Sequence, residues 1–208
     1  LLLVLLLLLG STAFFALALP RLNINSNTDA FLEEESVEVS TYYETREEWG
    51  TDEFAVLCVT AENWFTREGM ARLQEIEADL EAVEFVDGTM SILDVPLLRQ
   101  NPEEKPTLSF LFGGMKSLRD EKVDLALAAK EHATHELTVG NLISADGRSL
   151  NILAYLDWSK VDGKVIPPIN VRRDSLVKGV REVAEKWNGK LDEPVRLSGI
   201  PILQITLF

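Results

Sequence analysis

Cysteine and histidine are nearly absent from these 208 residues: one Cys, Cys58, and two His, His132 and His135. A single thiol forms no internal disulfide and no metal centre. Its setting, "FAVLCV", suits a small core side chain. The two histidines stand three apart in "EHATHE", so on a helix they share a face. The pattern is not H-E-x-x-H, however, and only Glu131 and Glu136 lie near as oxygen ligands, so a solvated helix end is expected and no metal site. No G-x-S-x-G elbow accompanies them. Neither G-x-G-x-x-G nor G-x-x-x-x-G-K-[ST] occurs, which removes the usual phosphate cradles. The acidic pairs Asp52-Glu53 and Glu103-Glu104 read as solvated charge, because a paired-carboxylate mechanism needs two groups held in one cleft. No catalytic residue and no cofactor are therefore expected, and the chain reads as a protein that is not an enzyme. N-x-[ST] is missing too, which is compatible with a bacterial source.

Basic charge is also scarce. Lys and Arg number 20 against 34 Asp and Glu, a formal net charge of −14. Phosphate backbones need Lys and Arg, so no nucleic acid partner is expected. Flat docking on an anionic lipid surface is disfavoured for the same reason.

What the chain does have is an apolar start, "LLLVLLLLLGSTAFFALAL", before Pro20 and the first charge, Arg21. At ~1.5 Å per residue, Leu1–Leu19 as helix would be about 28 Å long, against a hydrocarbon core of ~30 Å. A signal peptide's apolar region is shorter, about 7–15 residues. Ala16 and Ala18 offer a small-x-small cleavage pattern, but length favours a retained transmembrane helix over 1–20.

Beyond it, 21–50 reads as a polar connecting segment with a surface helix over 34–48, from which Val37, Tyr42 and Trp49 turn inward. "DEFAVLCVTA" is a strand buried on both faces. Thr66 is a good N-cap for a helix whose apolar stripe is Met70, Leu73, Ile76, Leu80 and Val83. A second strand follows around Glu84–Leu93, closing a first βαβ half over 51–100. "NPEEKP" is a loop, and 101–135 reads as a helical insertion broken at Gly113-Gly114. In 136–200, "ADGR" between two β-rich runs predicts a hairpin. A helix follows with Leu176, Val177, Val180, Val183, Ala184 and Trp187 inward and Gly189 at its C-cap. "PVRLSGIPILQITLF" reads as a last strand turning apolar, with 201–208 leading onward. The fold class is α+β: an N-terminal transmembrane helix, then a ferredoxin-like β-α-β-β-α-β domain with a helical insertion and one extra strand from the hairpin. Trp49, Trp64, Trp158 and Trp187 read as core or rim aromatics.

Several stretches, in order, resemble one family. They are "NTDAFLEEES" just after the apolar run, "WGTDEF", "WFTREGMARL", "MSILDVP", "GNLISADG" and "LSGIPIL". They are similar to the first extracytoplasmic loop of bacterial RND-superfamily exporters of the MMPL and hopanoid-transporter type. Gly50, Asp52, Glu53, Phe65, Thr66, Gly69, Leu73, Ser91, Leu93, Val95 and Pro96 stand at matching places. Arg67 and Glu33 depart from the pattern, each standing where the family often has proline.

The resemblance implies a first span and first periplasmic porter domain of a proton-driven exporter of lipidic or hydrophobic substrates. The chain would lie in the bacterial inner membrane, extracytoplasmic after about residue 21. Its partners would be the remaining spans, the second porter domain, the bilayer and the substrate. The proton-relay carboxylates belong to later spans, so no coupling residue is carried over. Phe110 and Phe112 in "PTLSFLFGGM" are the candidates for an apolar substrate surface. The alternatives are a single-span anchored binding or sensor domain, and a secreted hydrolase with a cleaved leader.

Overall fold

A computed structural model describes residues 2–18, 36–97, 116–158 and 167–207. Phe110, Phe112, Gly113-Gly114 and the "NPEEKP" loop lie outside the described residues. In chain order the elements are α1 (Leu2–Ala18), α2 (Val37–Trp49), β1 (Phe54–Thr60), α3 (Arg67–Glu81) and β2 (Val86–Met90). Then come α4 (Leu125–His132), β3 (Ser149–Leu156), α5 (Ile169–Trp187), β4 (Arg196–Ser198) and α6 (Ile200–Leu207).

The fold is α+β. The strands form one four-stranded sheet in the order β2-β3-β1-β4, with every neighbouring pair antiparallel. β1 and β3 make its centre, in register from Phe54 opposite Tyr155 to Thr60 opposite Ser149. Their alternate residues line one face: Ala55, Leu57 and Val59 of β1 with Leu150, Ile152 and Ala154 of β3, all fully buried. Alternation follows from the period of 2 in a strand. The apolar stripes of α3 and α5 join this core through Leu73, Ile76 and Leu80 and through Leu176, Val177 and Val180. α3 begins where the sequence places it, with Thr66 Oγ1 accepting from Gly69 N–H at 3.0 Å.

Several expectations are corrected. β1 is not buried on both faces. Phe54, Val56 and Cys58 point to the other side of the sheet and are only half-buried. β2 is shorter than 84–93. The hairpin turn forms, with Gly147 at φ 72° and Ser144 N–H bonded to Ser149 O at 2.9 Å. The run before it, however, makes only isolated bridges through Val139 and Ile143, so no extra strand is added among the described residues. Val37 points outward, 75% exposed.

The last strand is also shorter than expected: β4 stops at Ser198 and the apolar tail is helical. Gly199 makes this turn at φ 109°, a conformation that strains any residue with a Cβ. Pro201 then sits in the first turn of α6, where its fixed φ is tolerated.

α1, Leu2–Ala18, lies within the 1–20 expected, and residues 1, 19 and 20 lie outside the described residues. Among the described residues, no helix is long and apolar enough to cross a membrane. Val4, Leu7, Phe14, Phe15 and Leu17 of α1 are exposed.

The registers fix one further relation. Phe54, where β1 begins, is opposite Tyr155 near the end of β3, and Val56 is opposite Ser198 at the end of β4. The chain thus enters the sheet from α2 and leaves it toward α6 at the same pole, on neighbouring strands.

Candidate functional site

That pole carries the densest group of buried charge among the described residues. α2 carries four glutamates and has one basic residue in its last turn, Arg46. Arg46 reaches back over the turn that leads into β1. Its Nη2 donates to Asp52 Oδ1 at 3.0 Å and to Glu53 Oε1 at 3.4 Å. Its guanidinium lies 3.7 Å from the centroid of the Trp158 ring and 4.6 Å from that of Tyr42. From the opposite side the first turn of α5 contributes Arg172 and Arg173, both buried. Arg173 grips Glu53 with two bonds, Nε donating to Oε2 at 2.6 Å and Nη2 to Oε1. Arg172 Nη1 donates to the Asp157 carbonyl at 2.7 Å. Arg172 and Arg173 both stand 5.7 Å from the Trp158 centroid.

Three guanidiniums therefore surround one indole, with Glu53 as their buried carboxylate; its side chain is 7% exposed and that of Arg46 6%. Glu53 was expected in solvent and is not. Its neighbour Asp52 is, at 68% exposure. Burial alone would raise the Asp52 carboxyl, but the Arg46 hydrogen bond and charge and the Tyr42 hydroxyl together hold it below its ordinary value. Guanidinium forks match the oxygens of a carboxylate, as here with Glu53, and equally those of a phosphate. Nothing in the sequence marks Glu53 as the buried member of its pair. Arg172 and Arg173 do leave a trace, since helical spacing sets them on the same stripe as Leu176, Val177 and Val180.

The histidines do not form a pair of ligands. His132 is 1% exposed, contrary to the solvated helix end expected, and neither ring nitrogen has a hydrogen-bond partner. His135 is half-buried, and its Nδ1 accepts from Leu137 N–H at 3.3 Å. No group of three His, Cys, Asp or Glu able to hold a metal occurs among the described residues. Burial pushes the His132 pKa below its ordinary 6.5; the Glu131 charge opposes this and His135 adds to it. The folded state thus keeps His132 neutral, while the unfolded chain takes up a proton near pH 6.5. Stability is then fully present above that value and declines as the pH falls through it. His132→Leu is expected to flatten the fall in urea midpoint between about pH 7.5 and pH 5.5. An unchanged slope would remove His132 as its cause.

Two other features complete the surface. The side of the sheet away from the helices holds an open cleft of about 400 Å³, lined by Phe54, Val56, Cys58, Leu153 and Arg196 among others. Burial raises the Cys58 thiol, so it is a poor nucleophile at neutral pH. Against α3, Arg119 bridges Glu77 Oε2 at 2.8 Å and Asp94 Oδ1 at 2.7 Å, tying the segment before α4 to the helix. Trp64 and Trp187 are core residues. Trp158, which composition presents as an ordinary rim aromatic, is the centre of the arginine cluster.

Comparison with protein-family models finds no match, and comparison with curated proteins finds none.

Proposed function

We propose that this chain is the first span and first extracytoplasmic porter domain of an RND-type exporter of lipidic or hydrophobic substrates, in a bacterial inner membrane. In this reading α1 anchors the chain. Its described stretch, Leu2–Ala18, lies within the apolar run of residues 1–19, which as one helix would be close to the thickness of the hydrocarbon core. The path β1-α3-β2-β3-α5-β4 and the order β2-β3-β1-β4 support a ferredoxin-like assignment for the domain, with α4 and its flanks as the insertion.

One observation carries the proposal. The chain enters and leaves the domain at the same pole, on neighbouring strands; in the chain the apolar α1 precedes α2, and the apolar α6 follows β4 directly. A domain inserted between two consecutive membrane segments needs this geometry, because both of its ends must return to one bilayer surface. α6, "IPILQITL", is uncharged and starts directly after Gly199. A packed module hung from two such ends shifts as a rigid body when its membrane helices move. The open cleft beside Phe54 and Leu153 then supplies apolar surface for substrate.

Efflux tests the reading. Bacteria carrying the full-length gene are loaded with a panel of lipophilic dyes and compared with a deletion strain. Faster efflux that collapses on adding a protonophore is expected. Identical efflux in the two strains across the panel would contradict the proposal and favour the anchored sensor.

A further inference from the structure

The arginine cluster has more donors than acceptors. Arg173 already occupies both oxygens of Glu53, and Arg46 shares that carboxylate and Asp52 through a single nitrogen. Arg46 Nε and Nη1, Arg172 Nε and Trp158 Nε1 are all buried and donate to nothing. Buried donors without partners are costly. Stacking on Trp158 and Tyr42 offsets part of that cost for Arg46, but it does nothing for the indole N–H. The excess is the more notable in a chain of net charge −14, where carboxylates to satisfy these groups abound.

We propose that this pole binds a phosphate group, and that the phosphate belongs to the headgroup of an anionic membrane phospholipid. Four unpaired donors on three side chains suit the several oxygens of one phosphate. The choice of a lipid follows from position. The inference rests on the reading that α1 and α6 lead into the bilayer, which sets this pole at the headgroup level, where Trp, Tyr and Arg are the customary side chains. The rest of the acidic surface repels an anionic leaflet, so the unpartnered donors of this cluster give the domain one defined attachment to it. A headgroup reaches the donors as the Arg46 side chain swings off the indole that it covers. The lipid phosphate then takes the place of the stacked contact and holds α2 and the start of α5 to the membrane surface.

Native mass spectrometry of the full chain in detergent tests this. Three probes are used: phosphatidylglycerol, diacylglycerol of the same chain length, and inorganic phosphate. One phosphatidylglycerol is expected to be retained, diacylglycerol is not, and inorganic phosphate does not displace the lipid. Arg172→Gln and Arg46→Gln are each expected to lower retention by about tenfold, as the loss of a hydrogen bond to a charged group does. Arg148→Gln, which is exposed and outside both the cluster and the cleft, leaves retention unchanged. Should Arg46→Gln fail to fold, Arg172→Lys keeps the charge and removes the fork, and is expected to weaken retention as well.

Equal retention of diacylglycerol, or of phosphatidylglycerol by wild type and Arg172→Gln, would overturn the proposal. Displacement by inorganic phosphate would assign the site to a soluble anion and overturn the choice of a lipid. The lipid count depends on neither transport nor orientation, so its failure leaves the exporter reading standing. A failed efflux test, in turn, leaves the lipid count standing.

Discussion

Replacing Glu53 with alanine is expected to cost the domain about 3–5 kcal/mol of stability, the range for breaking a buried ion pair from one side. The loss is large because Glu53 serves two elements at once. Through Arg173 it holds the start of α5, and through Arg46 it holds the end of α2. Its own backbone is committed too, with N–H on Thr51 Oγ1 at 2.9 Å and C=O accepting from Leu156 N–H at 2.9 Å. Without the carboxylate, Arg46 and Arg173 lose the group to which both are bonded. Asp52→Ala provides the control. Its carboxylate is screened by solvent, so removing it is expected to cost less than about 1 kcal/mol. Urea denaturation followed by tryptophan fluorescence reads both. A Glu53→Ala cost no larger than that of Asp52→Ala would show that the cluster is not what holds α2 and α5 together.

Gly199→Ala is the second large effect. A Cβ at this position would lie 2.4 Å from the Phe54 carbonyl oxygen and 3.1 Å from the Ala55 Cα, and both are backbone atoms of the central strand. The residue also sits at φ 109°, outside the region open to side chains. Two penalties therefore act together, and a loss of about 2–4 kcal/mol is expected. Gly88 in β2 is the comparison: no atom lies within 4 Å of where its Cβ would be, and its φ is not positive. Gly88→Ala is expected to change stability by less than about 1 kcal/mol. The same urea experiment decides, and near-equal values for the two glycines would contradict the close approach of the β4–α6 turn to β1.

Gly199 also illustrates which parts of the fold the sequence discloses. "PILQITLF" is rich in residues that favour strands, and composition alone extends β4 to the end of the chain. What stops the strand is the position of Gly199 against Phe54, a contact between residues far apart in the chain. The helices α3 and α5 were easier, because a stripe repeated over 15 and 19 residues leaves one consistent inward face. β1 was legible as a strand, but the partial exposure of its second face was not. That depends on whether anything covers the second side of the sheet.

The candidate site was less legible than the fold. Asp52 and Glu53 are adjacent and chemically alike, yet one is solvated and the other gripped by two arginines. Strand alternation sends neighbours to opposite sides, but only the placement of α5 decides which side holds the arginines. Arg172 and Arg173 did interrupt an otherwise apolar stripe, and that interruption is the signal a sequence carries for a buried charge. His132 carried no such signal, because a histidine near a helix end is compatible with either burial or solvent.

The central claim is that residues 36–199 form an extracytoplasmic domain slung between two membrane segments, and labelling a single cysteine tests it most directly. In the full-length protein Cys58 is replaced by serine, any other cysteine is removed, and Leu137, 75% exposed, is replaced by cysteine. Intact cells, with the outer membrane made permeable where there is one, are treated with a membrane-impermeant maleimide. Labelling before lysis, on a protein that stays with the membrane through a carbonate wash, is the predicted result. Labelling only after lysis, or release of the protein by the wash, would contradict the account.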